Sequence, residues 1–274
     1  MRLPGSEKVI VGYDLGNKYA QISCYVTGSE EEIRTLSSVA GSSVYTIPLA
    51  LSKRQGVNQW FYGSEAIRYA GEEEGILVEN LLKLARDGEP VQIDGAPIDP
   101  VALLTLFLKR SLGLLSQVTN TERIGALMIT CEELDHRMLE VLTAATEGLH
   151  LKTDQICFQS HVESFYYYNL YQPEELWRHK TILCEYGDAS IRTYCMECNR
   201  HTTPVVAYME EREFPFPVPE SDEKMQEIAK KLCENQMISS VYLIGEAFSR
   251  DWMKESLRYL CKGCLLYTSP SPRD

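Results

Sequence analysis

The sequence has few basic residues relative to acidic ones and no long apolar run, and each shortage excludes a class of protein. Lysine and arginine number 27 against 39 aspartates and glutamates, which gives a net charge of −12. Nucleic-acid binding requires clustered basic side chains. The longest apolar neighbourhood, 101–108, contains Thr105 and falls short of the roughly 18 residues that a membrane span needs. We therefore predict a cytoplasmic protein with no membrane span and no nucleic-acid partner.

Familiar catalytic motifs are also missing. The sequence contains no serine nucleophile elbow, no Walker loop and no Gly-x-Gly-x-x-Gly fingerprint. Asp135 precedes a predicted helix and is expected to cap it rather than to act in a dyad with the next residue. The histidines form no local catalytic or ligand pattern: they are His136, His150, His161, His179 and His201.

Nine cysteines are present, and several lie inside apolar segments, as is typical of reduced, buried thiols in the cytosol. Cys195 and Cys198, with His201 and the pair Cys261 and Cys264, have a spacing that would also suit zinc. In a strand, however, side chains three residues apart point to opposite faces. That geometry favours ordinary thiols, with zinc as the alternative.

The last ten residues, 265–274, resemble translated adapter read-through. Their two prolines favour neither a helix nor a strand, and we expect the natural protein to continue past about Gly263. We therefore treat 264–274 as an artefactual tail and leave it out of fold reasoning.

Apolar periodicity divides the rest of the chain into short strands and amphipathic helices. Strand candidates at 9–14, 20–27 and 33–39 precede a long helix over 101–115 that begins at Asp99-Pro100. The later segments alternate in this order: strand 124–130, helix 135–148, strand 155–159, helix 162–170, strands 181–186, 191–197 and 205–210, helix 221–236, strand 240–244 and helix 250–260. Such alternation predicts an α/β protein with a mixed sheet. We expect two lobes, 1–118 and 119–263, the second with a small or absent outer subdomain.

An internal repeat links the two predicted lobes. A shift of 171 positions places Ile10-Val-Gly-Tyr-Asp-Leu-Gly16 on Thr181-Ile-Leu-Cys-Glu-Tyr-Gly187. Asp14 then matches Glu185, and both segments run from an apolar strand through a carboxylate to a glycine turn. Glycine allows a backbone to approach an anion closely, and a carboxylate at a strand end can hold a hydrated divalent cation. Two ordinary hairpins are the alternative interpretation.

These motifs resemble the superfamily of actin, sugar kinases and DnaK-type heat-shock chaperone ATPases, most closely its chaperone branch. The segment Asp14-Leu-Gly16 is similar to the first phosphate motif, 181–190 to the second, and 241–246 to the adenosine motif. Glu163 stands where that branch has a metal-linked glutamate. The resemblance implies a two-lobed, ribonuclease-H-like fold with duplicated βββαβα units, and ATP with Mg²⁺ held between the lobes.

The resemblance also implies roles for individual residues. Asp14, Glu163 and Glu185 would be the catalytic residues, and Asp14 and Glu185 would also hold the metal. The residues expected to contact the nucleotide are Gly16, Asn17, Lys18, Lys83, Gly187, Asp188, Ser190, Gly245 and Glu246.

Departures from the family pattern shape the functional prediction. The second loop reads Gly187-Asp-Ala-Ser190, where Asp188 adds a carboxylate that repels phosphate unless a cation screens it. The adenosine motif keeps only Gly245 of its two glycines. We therefore expect nucleotide binding with weak or no hydrolysis. The alternative is a non-enzymatic actin-like scaffold or pseudo-ATPase with a protein partner, in a cell-envelope or division assembly. Sugar-kinase-like phosphotransfer is a third, weaker possibility, because no sugar-binding aspartate motif is found.

Overall fold

A computed structural model describes residues 8–29, 32–72, 75–119, 121–186, 190–245, 248 and 251–262, together with the backbone of 265–268. The chain divides into two compact units, Met1–His161 and Val162–Asp274. Two strands between 124 and 160 join the sheet of the first unit.

The first unit is built from short strands and four helices among its described residues. Its strands are β1 Val9–Leu15, β2 Tyr19–Val26, β3 Arg34–Thr35, β4 Ile47–Pro48, β5 Leu51–Arg54, β6 Trp60–Tyr62, β7 Gly75–Val78, β8 Val91–Ile93, β9 Ala96–Ile98, β10 Ile124–Cys131 and β11 Ile156–Ser160. Its helices are α1 Gly63–Glu72, α2 Leu81–Asp87, α3 Pro100–Leu112 and α4 His136–Glu147.

The main sheet of this unit has the order β11-β10-β1-β2-β3, with β4 also paired to β2. Strand β1 runs parallel to β10 and antiparallel to β2, and β10 runs parallel to β11. Parallel neighbours end at the same edge of a sheet, so the carboxyl ends of β1, β10 and β11 meet there. This edge carries the end of β1 that contains Asp14.

Alternation along β1 explains which of its side chains remain accessible. Val9, Val11, Tyr13 and Leu15 are buried in the core that packs against α3 and α4. The intervening side chains point to the opposite face of the sheet, where Asp14 is exposed. The pattern of the strand thus directs a carboxylate away from the core.

Side-chain caps begin the two helices that cover this core. Asp99 accepts a hydrogen bond from the backbone N–H of Val101, and Pro100 occupies the first turn of α3. Asp135 accepts a bond from the backbone N–H of Met138 at the start of α4. The predicted caps at both helices are therefore confirmed.

Helix α5, His161–Tyr171, begins at the last residue of the first unit and continues into the second. The second unit also contains β12 Lys180–Tyr186, β13 Ser190–Asn199, β14 Val206–Pro215, α6 Asp222–Cys233, β15 Ile238–Ile244, α7 Lys254–Leu260 and β16 Leu265–Thr268. Its sheet has the order β14-β13-β12-β15-β16. The predicted order of strands and helices from 124 to 260 is confirmed, as is the mixed α/β class. The prediction of no strand in the tail was wrong for 265–268, because these four residues precede the prolines and pair in parallel with β15.

The two main sheets share both strand order and hairpin register. In the first, Val11 pairs with Cys24 and Asp14 with Gln21. The same shift of 171 gives the pairs Ile182 with Cys195 and Glu185 with Arg192 in the second sheet. The sequence repeat is therefore reproduced residue by residue in the ladder of each hairpin.

Candidate functional site

The turn between β1 and β2 is tight because of Gly16. Its backbone N–H donates to the carbonyl oxygen of Tyr19 at 2.9 Å. A Cβ added to Gly16 would lie 2.9 Å from that same oxygen, so the turn has no room for a side chain. The backbone N–H of Leu49 donates to the carbonyl oxygen of Lys18 at 2.7 Å and fixes the far side of the turn. The loop residues Asn17 and Lys18 remain exposed.

Asp14 is held at one of its two carboxylate oxygens. Oδ1 accepts a hydrogen bond from Thr130 Oγ1 at 3.1 Å and lies 2.8 Å from His161 Nε2. An ionised carboxylate is an acceptor only, so Nε2 of His161 carries the proton in this contact. The Asp14 side chain is 52% exposed and that of His161 only 16%. Since both contacts engage Oδ1, the carboxylate is oriented while it remains accessible to a ligand.

A second carboxylate lies beside the turn. Asn17 Nδ2 donates to Glu132 Oε2 at 2.9 Å, which ties the loop of the hairpin to the residue after β10. Burial, followed by the charges of Asp14, Asp135 and Glu132, raises the pKa of the Cys131 thiol to about 11. Asp14 and Glu132 are thus two carboxylates at this corner of the unit, while Asp135 pairs with Arg86.

The loop between β10 and α4 is anchored to α2. Arg86 on α2 contacts Glu133 at 3.0 Å and also pairs with Asp135. A backbone hydrogen bond from Met138, followed by the charge of Arg86, lowers the pKa of Asp135. Lys83, the predicted phosphate ligand, is an exposed residue of the same helix. The helix thus supports the loop that holds Glu132.

The corresponding end of the second sheet is more enclosed. Glu185 is half-buried and pairs in register with Arg192 on one side and Ile244 on the other. The hydroxyl of Ser190 donates to Glu213 Oε1 at 2.5 Å. The hydroxyl of Ser190, which was predicted to face a nucleotide, is thus bonded to the neighbouring strand β14.

Gly245 follows β15 in a left-handed conformation, with φ of +109°. A Cβ there would lie 3.4 Å from the Cβ of Tyr186 and 3.6 Å from its backbone nitrogen, so Gly245 packs directly onto the end of β12. The Tyr186 ring contacts Phe216, Phe248 and Trp252 with centroid separations of 5.4, 5.3 and 6.1 Å. Aromatic side chains therefore fill the space beside this end of β12.

The remaining predicted residues have different outcomes. Glu163 is an exposed residue in the first turn of α5. Gly187, Asp188 and Glu246 lie outside the residues that the structure describes. Asp14, Gly16, Asn17 and Lys18 are brought together in one turn of the first unit, whereas Glu185, Ser190 and Gly245 lie at strand ends in the second.

The described residues hold no group of three or more His, Cys, Asp or Glu side chains arranged to bind a metal. Cys195 packs against one hydrophobic cluster of the second unit and Cys198 against another. Their side chains thus lie on opposite faces of β13, as the strand geometry predicts. Cys264 lies outside the residues that the structure describes.

Three contributors to the Asp14 site were not predicted from the sequence, namely Thr130, Glu132 and His161. The prediction that the histidines form no local pattern concerned neighbours in sequence, whereas His161 reaches Asp14 across 147 positions. In the structure, Thr130 and His161 lie at the carboxyl ends of two neighbouring parallel strands, where polar side chains converge.

Comparison with known proteins gives a family but no activity. In the described part of the chain, no helix combines the length and the apolar character that crossing a membrane requires. The search of curated proteins finds no match. One family model, described as the C-terminal part of a family of unknown function, DUF5716, matches residues 32–267 and therefore most of the 274 residues. The Asp14 hairpin precedes the matched range. By this match, the chain belongs to the DUF5716 family of unknown function.

Proposed function

We propose that this protein is a divergent actin-like or DnaK-like nucleotide-binding protein that binds ATP with Mg²⁺ through the Asp14 hairpin and hydrolyses it weakly or not at all. The observation that carries the proposal is the repeated ladder. Two sheets of equal strand order carry a carboxylate at the same register position, Asp14 in one and Glu185 in the other. This arrangement supports the actin-like resemblance beyond the short sequence motifs.

The chemistry of the Asp14 corner suits a hydrated divalent cation. Mg²⁺ keeps several waters and is usually bound by one or two carboxylates together with substrate phosphates. Asp14 presents an oriented, half-exposed carboxylate, and Glu132 lies next to the same turn. When bound, Mg²⁺ would neutralise phosphate charge that these carboxylates otherwise repel. Lys18, which is exposed on the same turn, would contribute a positive charge for phosphate oxygens.

Thermal unfolding with and without ligand tests the proposal. A ligand present at 100 times its Kd stabilises the folded state by about 2.7 kcal/mol, so Mg-ATP at millimolar concentration should raise the Tm. Asp14→Ala should abolish the rise. Asp251→Ala removes a carboxylate that is 85% exposed in the second unit and should preserve it. No rise for the unaltered chain at millimolar Mg-ATP would refute nucleotide binding.

A non-enzymatic scaffold or pseudo-ATPase is the second candidate function. Two features of the second unit favour it. The ring cluster around Tyr186 occupies the space next to Gly245, and Ser190 is committed to Glu213. Phosphate release from Mg-ATP separates the candidates: turnover that Asp14→Ala abolishes supports an ATPase. A raised Tm without turnover supports a pseudo-ATPase, and neither effect supports a scaffold that works without nucleotide.

A further inference from the structure

We infer that His161 is a positioning residue that orients the Asp14 carboxylate for cation-dependent nucleotide binding. The inference rests on the proposed function and extends it to a residue outside the resemblance. His161 begins α5, directly after β11, and its Nε2 reaches Asp14 Oδ1 at 2.8 Å across 147 positions of sequence. Thr130 donates to the same oxygen from β10.

Two donors on one oxygen restrict the rotation of the carboxylate. A free aspartate side chain turns about a broad, roughly two-fold torsion. Here the donors come from two neighbouring strand ends and fix the plane of the Asp14 carboxylate, which leaves Oδ2 for a ligand. The imidazole itself is held firmly, since only 16% of the His161 side chain is exposed. Hydrogen-bond partners of this kind orient metal-binding carboxylates in other proteins.

Loss of His161 should affect binding of the cation but not binding of the phosphate groups. Its proton is directed at Asp14, so its contribution should act through the carboxylate and not through direct contact with the nucleotide. Asn17 and Lys18, which lie on the loop, would be the residues that meet phosphate. Loss of His161 should therefore weaken binding of Mg-ATP and leave the much weaker binding of metal-free ATP unchanged.

Three variants of the full chain make the test. Removal of a partner that orients a metal ligand typically costs about 10- to 100-fold in affinity, so His161→Ala should raise the Kd for Mg-ATP by that factor. In EDTA the Kd for ATP should not change. His161→Gln places an amide N–H near the position of Nε2 and should restore affinity to within about threefold of the unaltered chain. His136→Ala removes a histidine that faces Glu140 at 3.4 Å but is 91% exposed, and it should leave both constants unchanged.

Isothermal titration calorimetry measures both constants, and the Tm without ligand checks folding. The inference is overturned if His161→Ala binds Mg-ATP as tightly as the unaltered chain, loses affinity equally in EDTA, or is not rescued by glutamine. Should His161→Ala fail to fold, Thr130→Val removes the other donor to Oδ1 and must show the same selective loss. Absence of Mg-ATP binding in the unaltered chain refutes the proposed function itself. A normal affinity that His161→Ala leaves unchanged refutes only the positioning role.

Discussion

A buried hydroxyl pair behind the Asp14 hairpin gives a quantitative prediction about stability. Tyr13 Oη lies 2.7 Å from Ser111 Oγ, and both residues are buried. Ser111 Oγ is also 2.9 Å from the carbonyl oxygen of Phe107, one turn back on α3. The serine hydroxyl has a single proton, which it donates to this carbonyl oxygen, so Tyr13 is the donor between the two hydroxyls. The pair ties β1, the strand that carries Asp14, to α3.

Removal of the Ser111 hydroxyl and removal of the Tyr13 hydroxyl should lower the free energy of unfolding by different amounts. Ser111→Ala leaves the Tyr13 hydroxyl as a buried donor without a partner, which costs about 1–3 kcal/mol of unfolding free energy. Tyr13→Phe removes the donor, while Ser111 keeps its bond to Phe107, so the loss should be about 0.5–1.5 kcal/mol. The double variant contains no orphaned hydroxyl and should cost less than the sum of the single changes.

Urea denaturation of the four proteins completes the double-mutant cycle. We expect Ser111→Ala to be the more damaging single change. We also expect a coupling energy between the two substitutions that exceeds the roughly 0.3–0.5 kcal/mol within which independent sites add. Burial raises the pKa of the Tyr13 phenol, so the hydroxyl stays protonated and the result should not vary between pH 6 and 9. A larger loss for Tyr13→Phe than for Ser111→Ala would show that the assigned donor direction is wrong, and losses that add in the double variant would show that the two hydroxyls are not coupled.

Other predictions concern the turn, the second unit and an exposed ion pair. Gly16→Ala places a Cβ 2.9 Å from a backbone oxygen and should cost about 1–3 kcal/mol in urea denaturation, whereas Gly12→Ala, with 3.9 Å of space, should cost less. Burial alone would raise the pKa of Asp222, but hydrogen bonds from the Ser256 hydroxyl and from backbone N–H groups lower it below its ordinary 3.8. The stabilisation by ionised Asp222 is therefore complete above about pH 4 and is lost as the pH falls through the folded-state pKa. The Tm difference between the unaltered chain and Asp222→Asn should shrink below pH 4. A constant difference from pH 7 to 3 would contradict this. Arg86→Ala breaks two partly exposed ion pairs, with Glu133 and Asp135, and should cost about 1 kcal/mol in total, with a smaller loss in 1 M salt.

Local sequence patterns were sufficient to predict the strands and helices that depend on contacts between residues close in sequence. The alternation of β1 predicts which face is buried, and Asp99 and Asp135 identify two helix starts through their own side-chain bonds. The repeat identifies equivalent positions in the two hairpins, and the two observed registers share them.

Longer-range features of the site were not accessible in the same way. The contact between Asp14 and His161 depends on which strands become neighbours, and the contact between Asn17 and Glu132 depends on the path of the loop after β10. Neither partner has a distinctive sequence neighbourhood. The prediction for 33–39 also exceeded the observed strand, β3, which spans only Arg34–Thr35 because the following serines bond to nearby backbone instead.

The two hairpins show how one ladder can support different chemistry at its end. Asp14 and Glu185 occupy equivalent register positions, and their parallel neighbours are Thr130 and Ile244. A hydroxyl beside Asp14 can donate a hydrogen bond, whereas an isoleucine beside Glu185 cannot. The residue after each carboxylate differs as well: Leu15 is buried in the core, while the Tyr186 ring packs against other aromatic rings. Ligand chemistry should therefore concentrate at the Asp14 hairpin, which makes Asp14→Ala a more damaging change to nucleotide binding than Glu185→Ala.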